Sequence, residues 1–534
     1  MQRQSEDKNI DVLIVGAGPS GLMMACQLAL RNISFRIIDR KGHPTNYSGA
    51  LIVQARSLEI FQQMGIAQKA INSGEIANEI KLIFNGKKSF ILPVKEIGKG
   101  LTQFPFLLLL EQSETEQILT DFLNNLGYSI ERETELDQFT QNDHAVTSTL
   151  RLPDGNRETI STKYLIAADG ARSTIRKQLQ IPFIGKTYPI SLFVSDCKAA
   201  GELSSDQLCF SFSDETTTGF FPLPGGRWRV DGTISKDMEN IDLITFEDVG
   251  KNFGEKTRMN VEMSEPDWFS VFHIHERFAS SFQQNRCFLV GDAAHIHSPV
   301  GAQGMNTGLQ DSFNLAWKLS MVIHKKAKNA LLDTYSAERL PIAIDVVRGT
   351  NHAFLMVTSR KFFAKLFRVH VLPYILKIVL PLVVKQEGLR HFFFRRISEI
   401  GIHYRKGPLS YQASLGDFPE YAPKPGDRLP FVNYQKDGLT YNIQQKVKGS
   451  HVHLFLFSKH SSPSAISRIA EKYAHLLSYE TIPYSSDTSD LYERFGISNQ
   501  GCYLVRPDLY IAYRSAIPDA EHFEIYLRQF FTGG

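Results

Sequence analysis

Cysteine is scarce in this 534-residue chain: there are five (Cys26, Cys197, Cys209, Cys287 and Cys502), widely spaced, with no C-x-x-C pair. That spacing excludes a disulfide framework and a zinc knuckle, and the usage fits a reducing compartment, so a cytoplasmic protein is expected. Charge of one sign is also missing. The 59 basic and 56 acidic side chains leave a formal +3, and the cations are spread along the chain rather than gathered in a stripe. No nucleic-acid partner is therefore expected. The polar opening MQRQSEDKNI carries no apolar signal core. An uninterrupted apolar run is lacking too, since Lys365, Arg368, Lys377, Pro373 and Pro381 break residues 361–385, KFFAKLFRVHVLPYILKIVLPLVVK. A membrane span needs ~20 clean residues, so none is expected. Packed connecting helices are the preferred reading over a face resting on lipid. There is no internal repeat and no low-complexity tract.

What is present reads as an α/β protein of several domains, since 534 residues exceed what one core usually serves. The segment DVLIVGAGPSGLMMACQLALRNISFRIIDRK has the pattern of strand, glycine-rich turn, helix and second strand. Within it Gly16, Gly18 and Gly21 fit G-x-G-x-x-G, with Pro19 and Ser20 between them. The first glycine permits the tight turn, the second a close approach of pyrophosphate, and the third helix-on-strand packing. Asp39, followed by Arg40, ends the second strand, where a carboxylate accepts from ribose hydroxyls and repels a 2′-phosphate. FAD or NAD is favoured over NADP at this turn. Helices are expected over 51–64 and 111–126, the latter opened by a capping box of Ser113 and Glu116. Residues 186–275 carry short β-rich runs and read as a mainly antiparallel sheet.

A second glycine-rich tract, GDAAHIHSPVGAQGMNTGLQD (291–311), lies between an apolar strand and a helix, and YLIAADGARSTIR places Asp169 after another. His295 and His297 have no third ligand at useful spacing, so no metal is expected. No second G-x-G-x-x-G exists for a resident nicotinamide, and no W-x-W-x-I-P signature of flavin halogenases.

These three tracts, in this order over roughly the first 350 residues, resemble the FAD-dependent aromatic hydroxylases, single-component flavoprotein monooxygenases of the para-hydroxybenzoate hydroxylase fold. The resemblance implies a Rossmann-like FAD-binding domain in two parts, 1–185 and 276–410, an antiparallel-sheet substrate domain over 186–275 joined by 75–100, and a tail over 411–534. The tail, especially GCYLVRPDLYIAYRS, resembles the C-terminal thioredoxin-like domain of the phenol hydroxylase branch, with Cys502 alone and so without disulfide chemistry. A homodimer is the assembly such a tail would support.

For the cofactor, the resemblance implies FAD bound by the first turn, by Arg56, Gln112 and Asp169, by Gly291 and by Asp292 on the ribityl chain. Pro299, Gly301, Gly304, Met305 and Asn306 would lie at the flavin ring. Where the family commonly has an Arg, this chain has Gly49. The implied reaction uses NADPH or NADH as a transient donor and O2, passes through a flavin C4a-hydroperoxide, and inserts one oxygen atom into a phenolic or polycyclic aromatic substrate in a dry pocket. Phe210, Phe212, Phe220, Phe221, Pro222 and Pro299 are candidates for that pocket. No catalytic base is assigned among Tyr188, His273 and His275. The alternatives are a Baeyer–Villiger or antibiotic-inactivating monooxygenase of the same fold, of tetracycline or rifamycin type, and a non-catalytic flavin-binding protein.

Overall fold

In the computed structural model of the chain, residues 10–44, 49–234, 243–298, 301–359, 361–413, 416–436, 438–459 and 464–533 are described. The buried apolar run Val12–Val15 forms β1, at the centre of a six-stranded sheet. The chain turns through residues 16–18 into α1 (Pro19–Ala29), with Pro19 in the first turn where a missing N–H is harmless. It returns as β2 (Phe35–Asp39), parallel to β1. After α2 (Ala55–Met64) come the hairpin β3 (Glu79–Phe84) and β4 (Lys88–Pro93), then α3 (Gln112–Asn125). The expected capping box is not formed. This helix begins at Gln112, so Ser113 already lies in its first turn, and Glu116 accepts instead from Gln112 Nε2 at 2.9 Å. β5 (Tyr164–Ala167) then pairs parallel with the free side of β1 and leads to α4 (Thr174–Gln178).

The second layer consists of β6 (Phe183–Gly201), β7 (Gln207–Phe212), β8 (Thr217–Leu223), β9 (Arg227–Thr233) and β10 (Val261–Ala279). With His295–Ile296, β3 and β4 they form an eight-stranded sheet in the order His295–Ile296, β10, β6, β9, β8, β7, β3, β4. Neighbours are antiparallel except β7 with β3. Two strands are much longer than the sequence punctuation suggested: β6 and β10 each run 19 residues. Their pairing shifts register at Thr187/Ser191 and Asp196/Lys198, the bulges that let so long a pair bend.

β11 (Cys287–Leu289) returns the chain to the first sheet beside β5, and α5 (Gly304–Ile323) then packs against α1. That approach needs glycine: a Cβ on Gly291 or Gly308 would lie 2.3 or 2.4 Å from Ser20 Oγ. α6 (Ala330–Thr358) is followed by α7 (Phe362–Leu366), a π-helical turn (Phe367–Val371) and α8 (Leu372–Lys385), and α9 (Glu387–Ile397) folds back on them. Here the expectation of packed connecting helices is corrected. Phe362–Lys385 is long and apolar enough to cross a membrane, yet only 22% of its most apolar window is buried, and Phe363 is 80% exposed.

The tail runs β12 (Val452–Ser458), α10 (Ser464–Lys472), β13 (Leu477–Pro483), α11 (Ser489–Phe495), β14 (Gln500–Val505), β15 (Ile511–Ser515) and α12 (Ala520–Phe530). Its sheet runs in the order Tyr411–Gln412, β15, β14, β12, β13, with β12 and β13 parallel and the rest of β12–β15 antiparallel. Cys502 is wholly buried on β14, where loss of solvent pushes its thiol up to about 12. The tail meets the first domain through buried charge. Glu338 on α6 accepts from Lys318 Nζ at 2.8 Å, Asn314 Nδ2 at 2.9 Å and Arg506 of the tail at 2.9 Å, and Arg506 also holds Asp508.

Candidate functional site

The turn after β1 shapes one end of a cavity of about 920 Å³ that runs on to the face of the eight-stranded sheet. Gly16 has φ +104°, and a Cβ there would lie 2.2 Å from the Ala168 carbonyl. Gly21 is equally constrained, its Cβ position being 1.9 Å from the Gly16 carbonyl oxygen. Gly18 is different: nothing lies within 4 Å of where its Cβ would be, so bare backbone faces the cavity at the start of α1. Asp39 Oδ2 accepts from Ala17 N at 2.7 Å and Oδ1 from Lys41 N at 2.9 Å, which fixes its carboxylate beside the turn. Pro19, Ser20, Arg40, Gly49 and Gln112 also line this end, with Gln112 Oε1 accepting from Ala50 N at 3.2 Å.

The tract 291–311 wraps the middle of the cavity, and its geometry is set by Asp311, a residue that sequence reasoning quoted but gave no task. Asp311 Oδ2 accepts from Gly291 N at 3.0 Å and lies 2.7 Å from His295 Nε2, and Oδ1 accepts from Arg339 Nε at 2.7 Å. Burial works to raise its pKa, but Arg339 and His295 outweigh it and hold the carboxyl low. Gly291 thereby keeps φ +59° and turns Asp292 toward the cavity. Asp292 has no hydrogen-bond donor among the described residues. Its carboxylate faces the void from within the protein body, where loss of bulk water pushes its pKa up against the pull of His295.

At the head of α5 the first intrahelical bond is Thr307 N to Gln303 O, 2.8 Å, so the N–H groups of Gly304, Met305 and Asn306 have no partner inside the helix. Gly304 and Met305 line the cavity. The Asn306 side chain does not: Oδ1 accepts from Gln54 N (2.9 Å) and Ser57 Oγ (2.7 Å), and Nδ2 donates to Ile52 O, bracing the 50s segment. Gly301, at φ +91°, turns its carbonyl to Gln54 Nε2. Pro299 lies outside the described residues. His297 also lines the cavity, its ring pushed down to about 4 by burial and its Nε2 without a partner.

Asp169 lines the cavity near α4, but its Oδ2 accepts from Thr174 N (2.7 Å) and Ile175 N (3.3 Å), so it caps that helix. Its Oδ1 is buried without a partner. Arg172 reaches the cavity, whereas Arg176 donates to Ala293 O at 2.8 Å and ties the DG tract to the 291–311 tract. Arg56, expected beside the cofactor, is placed elsewhere. It is 1% exposed, pairs with Glu59, donates to Asp508 O at 2.7 Å and stacks on Tyr510. Its chemistry serves the junction with the tail.

Of the expected pocket residues among those described, only Phe221 lines the cavity. Successive residues of a strand face opposite ways, so Phe220 points into the core behind the sheet, and Pro222 is likewise turned away. Phe212 stacks on Phe84 at 5.1 Å, and Phe210 sits a strand further out, edge-on to Phe221 at 5.5 Å. Tyr188 is buried against Phe354 and donates to Glu276, while His273 and His275 line an exposed margin. The remaining wall comes from residues that residue typing alone did not single out: Val194, Arg229, Asp231, Trp268, Ser270 and Phe272. Arg229 is already committed, donating through Nε and Nη2 to Asp196 at 2.8 and 2.7 Å, and Trp268 Nε1 donates to the same carboxylate. Asp231 is the chemically open group. It accepts from Gly219 N at 3.1 Å, and burial pushes its carboxyl up to about 6 against that bond and Arg229.

The residues fit a flavin dinucleotide: bare backbone at Gly18, an anchored Asp39, an unpartnered Asp292 and free N–H groups at the head of a 20-residue helix. Comparison with known proteins agrees. Residues 9–350 match the family described as FAD binding domain. The chain is 32% identical to a 6-methylpretetramide 4-monooxygenase of Streptomyces rimosus over 94% of its own length and 90% of the relative's. It is 34% identical to a pentachlorophenol 4-monooxygenase of Sphingobium chlorophenolicum over 65% of each chain. The solved anhydrotetracycline hydroxylase from Streptomyces rimosus superposes with a TM-score of 0.78 at 26% identity, over 99% of this chain and 100% of that one.

Proposed function

Since this chain belongs to the FAD-binding family of flavin-dependent monooxygenases, we propose that it hydroxylates a polycyclic phenolic substrate laid against the inner face of its eight-stranded sheet. FAD, NAD(P)H and O2 are its cofactor and co-substrates. When bound, FAD would supply the two-electron chemistry that couples NAD(P)H oxidation to O2 activation and the delivery of one oxygen atom.

The chain's own residues bind, orient and exclude water. The Gly18 backbone and the N-terminus of α1 would hold the pyrophosphate, Asp39 the adenosine ribose, and Asp292 the hydroxyls of the ribityl chain. The N–H groups of Gly304, Met305 and Asn306 would face the electron-rich edge of the ring, where a helix N-terminus stabilises an anion by ~0.3–2 kcal/mol. Phe221, Trp268 and Phe272 give the substrate wall an apolar surface on which an aromatic ring can stack. Asp231, ionised above pH 6, would accept the phenolic proton and make the ring more nucleophilic; a carboxyl tuned to about 6 suits that task near neutrality. The buried, unpaired thiols support a cytoplasmic setting.

The observation that carries this reading is the continuity of one cavity of about 920 Å³ whose lining runs from Gly18 at the dinucleotide turn to Trp268 on the sheet. A panel of phenols, aromatic polyketides and antibiotics, assayed for stimulated NAD(P)H oxidation with mass detection, tests it. A product heavier by one oxygen atom and hydroxylated on the ring is expected. Oxygen insertion beside a ketone would favour the antibiotic-modifying reading, and bound FAD without stimulated turnover would favour a non-catalytic flavoprotein.

A further inference from the structure

Residues 361–397 hold eight basic side chains (Lys361, Lys365, Arg368, Lys377, Lys385, Arg390, Arg395 and Arg396) and one acidic, Glu387. The same stretch exposes more large apolar surface than any other part of the described chain. Phe362, Phe363, Tyr374, Ile378 and Phe392 are 62–80% exposed on α7, α8 and α9. A soluble surface rarely gathers so many large apolar side chains without a partner for them.

The element is anchored on one side only. Pro373 and Val383 are buried, Lys88 of β4 sits 3.8 Å over the Tyr374 ring, and Phe394 fills the place where a Cβ on Gly98 would lie, 2.2 Å away. Arg368 turns inward and donates to the Met356 and Ser359 carbonyls. A rod held to the protein along one flank, with cations inside its apolar run, cannot pass through a bilayer. It can lie in the plane of one, apolar side chains among the acyl chains and lysines at the headgroups. A second copy of the chain is a poor occupant, because two-fold pairing would set the seven cations other than Arg368 against seven, with Glu387 the stretch's one carboxylate on each side to relieve them.

We propose that α7, α8 and α9 form a docking surface for an anionic lipid bilayer, on which the enzyme rests without spanning it. The surface adjoins the cavity: Gln303, which lines the cavity, donates through Nε2 to Arg396 O at 3.1 Å. Docking would thus set the site beside the lipid, and, on the monooxygenase reading above, let an apolar aromatic substrate enter from the membrane.

Sedimentation of the FAD-loaded, full-length protein with vesicles tests this, since it reads docking without turnover and its failure leaves the monooxygenase reading standing. Vesicles of phosphatidylcholine with phosphatidylglycerol should carry the protein down at low salt, and pure phosphatidylcholine far less. Each exposed lysine near an anionic surface contributes about fivefold, so Lys377→Ala with Lys385→Ala should weaken binding by roughly 25-fold, and added salt should weaken the wild type. Phe362→Ser with Phe363→Ser should abolish docking at unchanged FAD content and melting temperature, because both side chains project from the fold. Three results would overturn the proposal: no partition of the wild type to anionic vesicles, partition indifferent to lipid charge, or a concentration-dependent oligomer that the two serines dissolve.

Discussion

Two polar regions of this protein differ in how enclosed they are and, more tellingly, in whether their polar groups are partnered. At the junction of α6 with the tail, Glu338, Lys318, Arg506 and Asp508 are all 2% exposed or less, and each has its opposite charge within hydrogen-bond distance. Around the cavity, Asp292 has no donor, Asp231 has one backbone N–H, and one nitrogen of His297 and one oxygen of Asp169 are unpartnered. Burying a polar group without a partner destabilises by a few kcal/mol. A chain that satisfies the first set completely and leaves the second open distinguishes a structural seam from a binding site.

The seam can be broken hardest. Burial works against ionised Glu338, yet Arg506 and Lys318 hold its carboxyl down to about 2. Glu338→Ala strands Lys318, leaves Arg506 to Asp508 alone, and should destabilise by about 3–5 kcal/mol, read as a lowered urea midpoint. FAD affinity of the molecules that remain folded should be unchanged. A loss of affinity with normal stability would erase the distinction between the two regions.

Asp231→Asn probes the other side. Substrate-stimulated turnover at pH 7.5 should fall about 100-fold, and the ascending limb of kcat/KM near pH 6 should disappear. The stability sign is opposite to that at the seam. The folded pKa lies above the unfolded one, so the group favours the folded state fully below about pH 4 and loses that contribution as pH rises through 6. Above pH 6 the variant should therefore be the more stable, by on the order of 1 kcal/mol. A pH profile unchanged by the substitution would remove Asp231 from the chemistry.

How far these roles could be read in advance depended on the distance over which each is decided. The first turn and its acid were legible because strand, glycines, helix and Asp39 lie within one βαβ unit, where spacing fixes geometry. The 291–311 tract was legible as a unit, but the task of Asp311 was not, since Arg339 comes to it from another helix. Arg56 was misplaced for the same reason: its destination, the Asp508 carbonyl, is supplied by the tail. The pocket phenylalanines were chosen by residue type, while strand alternation sends Phe220 and Phe221 to opposite faces. Periodicity could show that 361–385 is helical and apolar, but not that its apolar side would lack a protein neighbour.

Asp292→Asn should have a smaller effect than either change above, and a purer one. It removes a charge-assisted acceptor for hydroxyls, which is worth about 1.5–3 kcal/mol, a loss of roughly tenfold or more in FAD affinity. Flavin fluorescence quenching in the apoprotein reads this directly. The apoprotein itself should be no less stable, because an unpartnered carboxylate contributes nothing to hold it together. If stability drops while FAD affinity persists, Asp292 belongs with the seam.

Cys502→Ala sets the lower end of the scale. The thiol sits between Leu456 and Ser515 on adjoining strands, wholly buried, and with its pKa pushed up to about 12 it yields no thiolate at neutral pH. It acts as a small apolar filler, so replacing it should cost about 1 kcal/mol and leave FAD content, turnover and their response to thiol reagents unchanged. A change in turnover under mild oxidation that the alanine variant lacks would show that the tail kept redox chemistry. The tail could do that only by giving this cysteine a second thiol, and among Cys26, Cys197, Cys209 and Cys287 none lies on it.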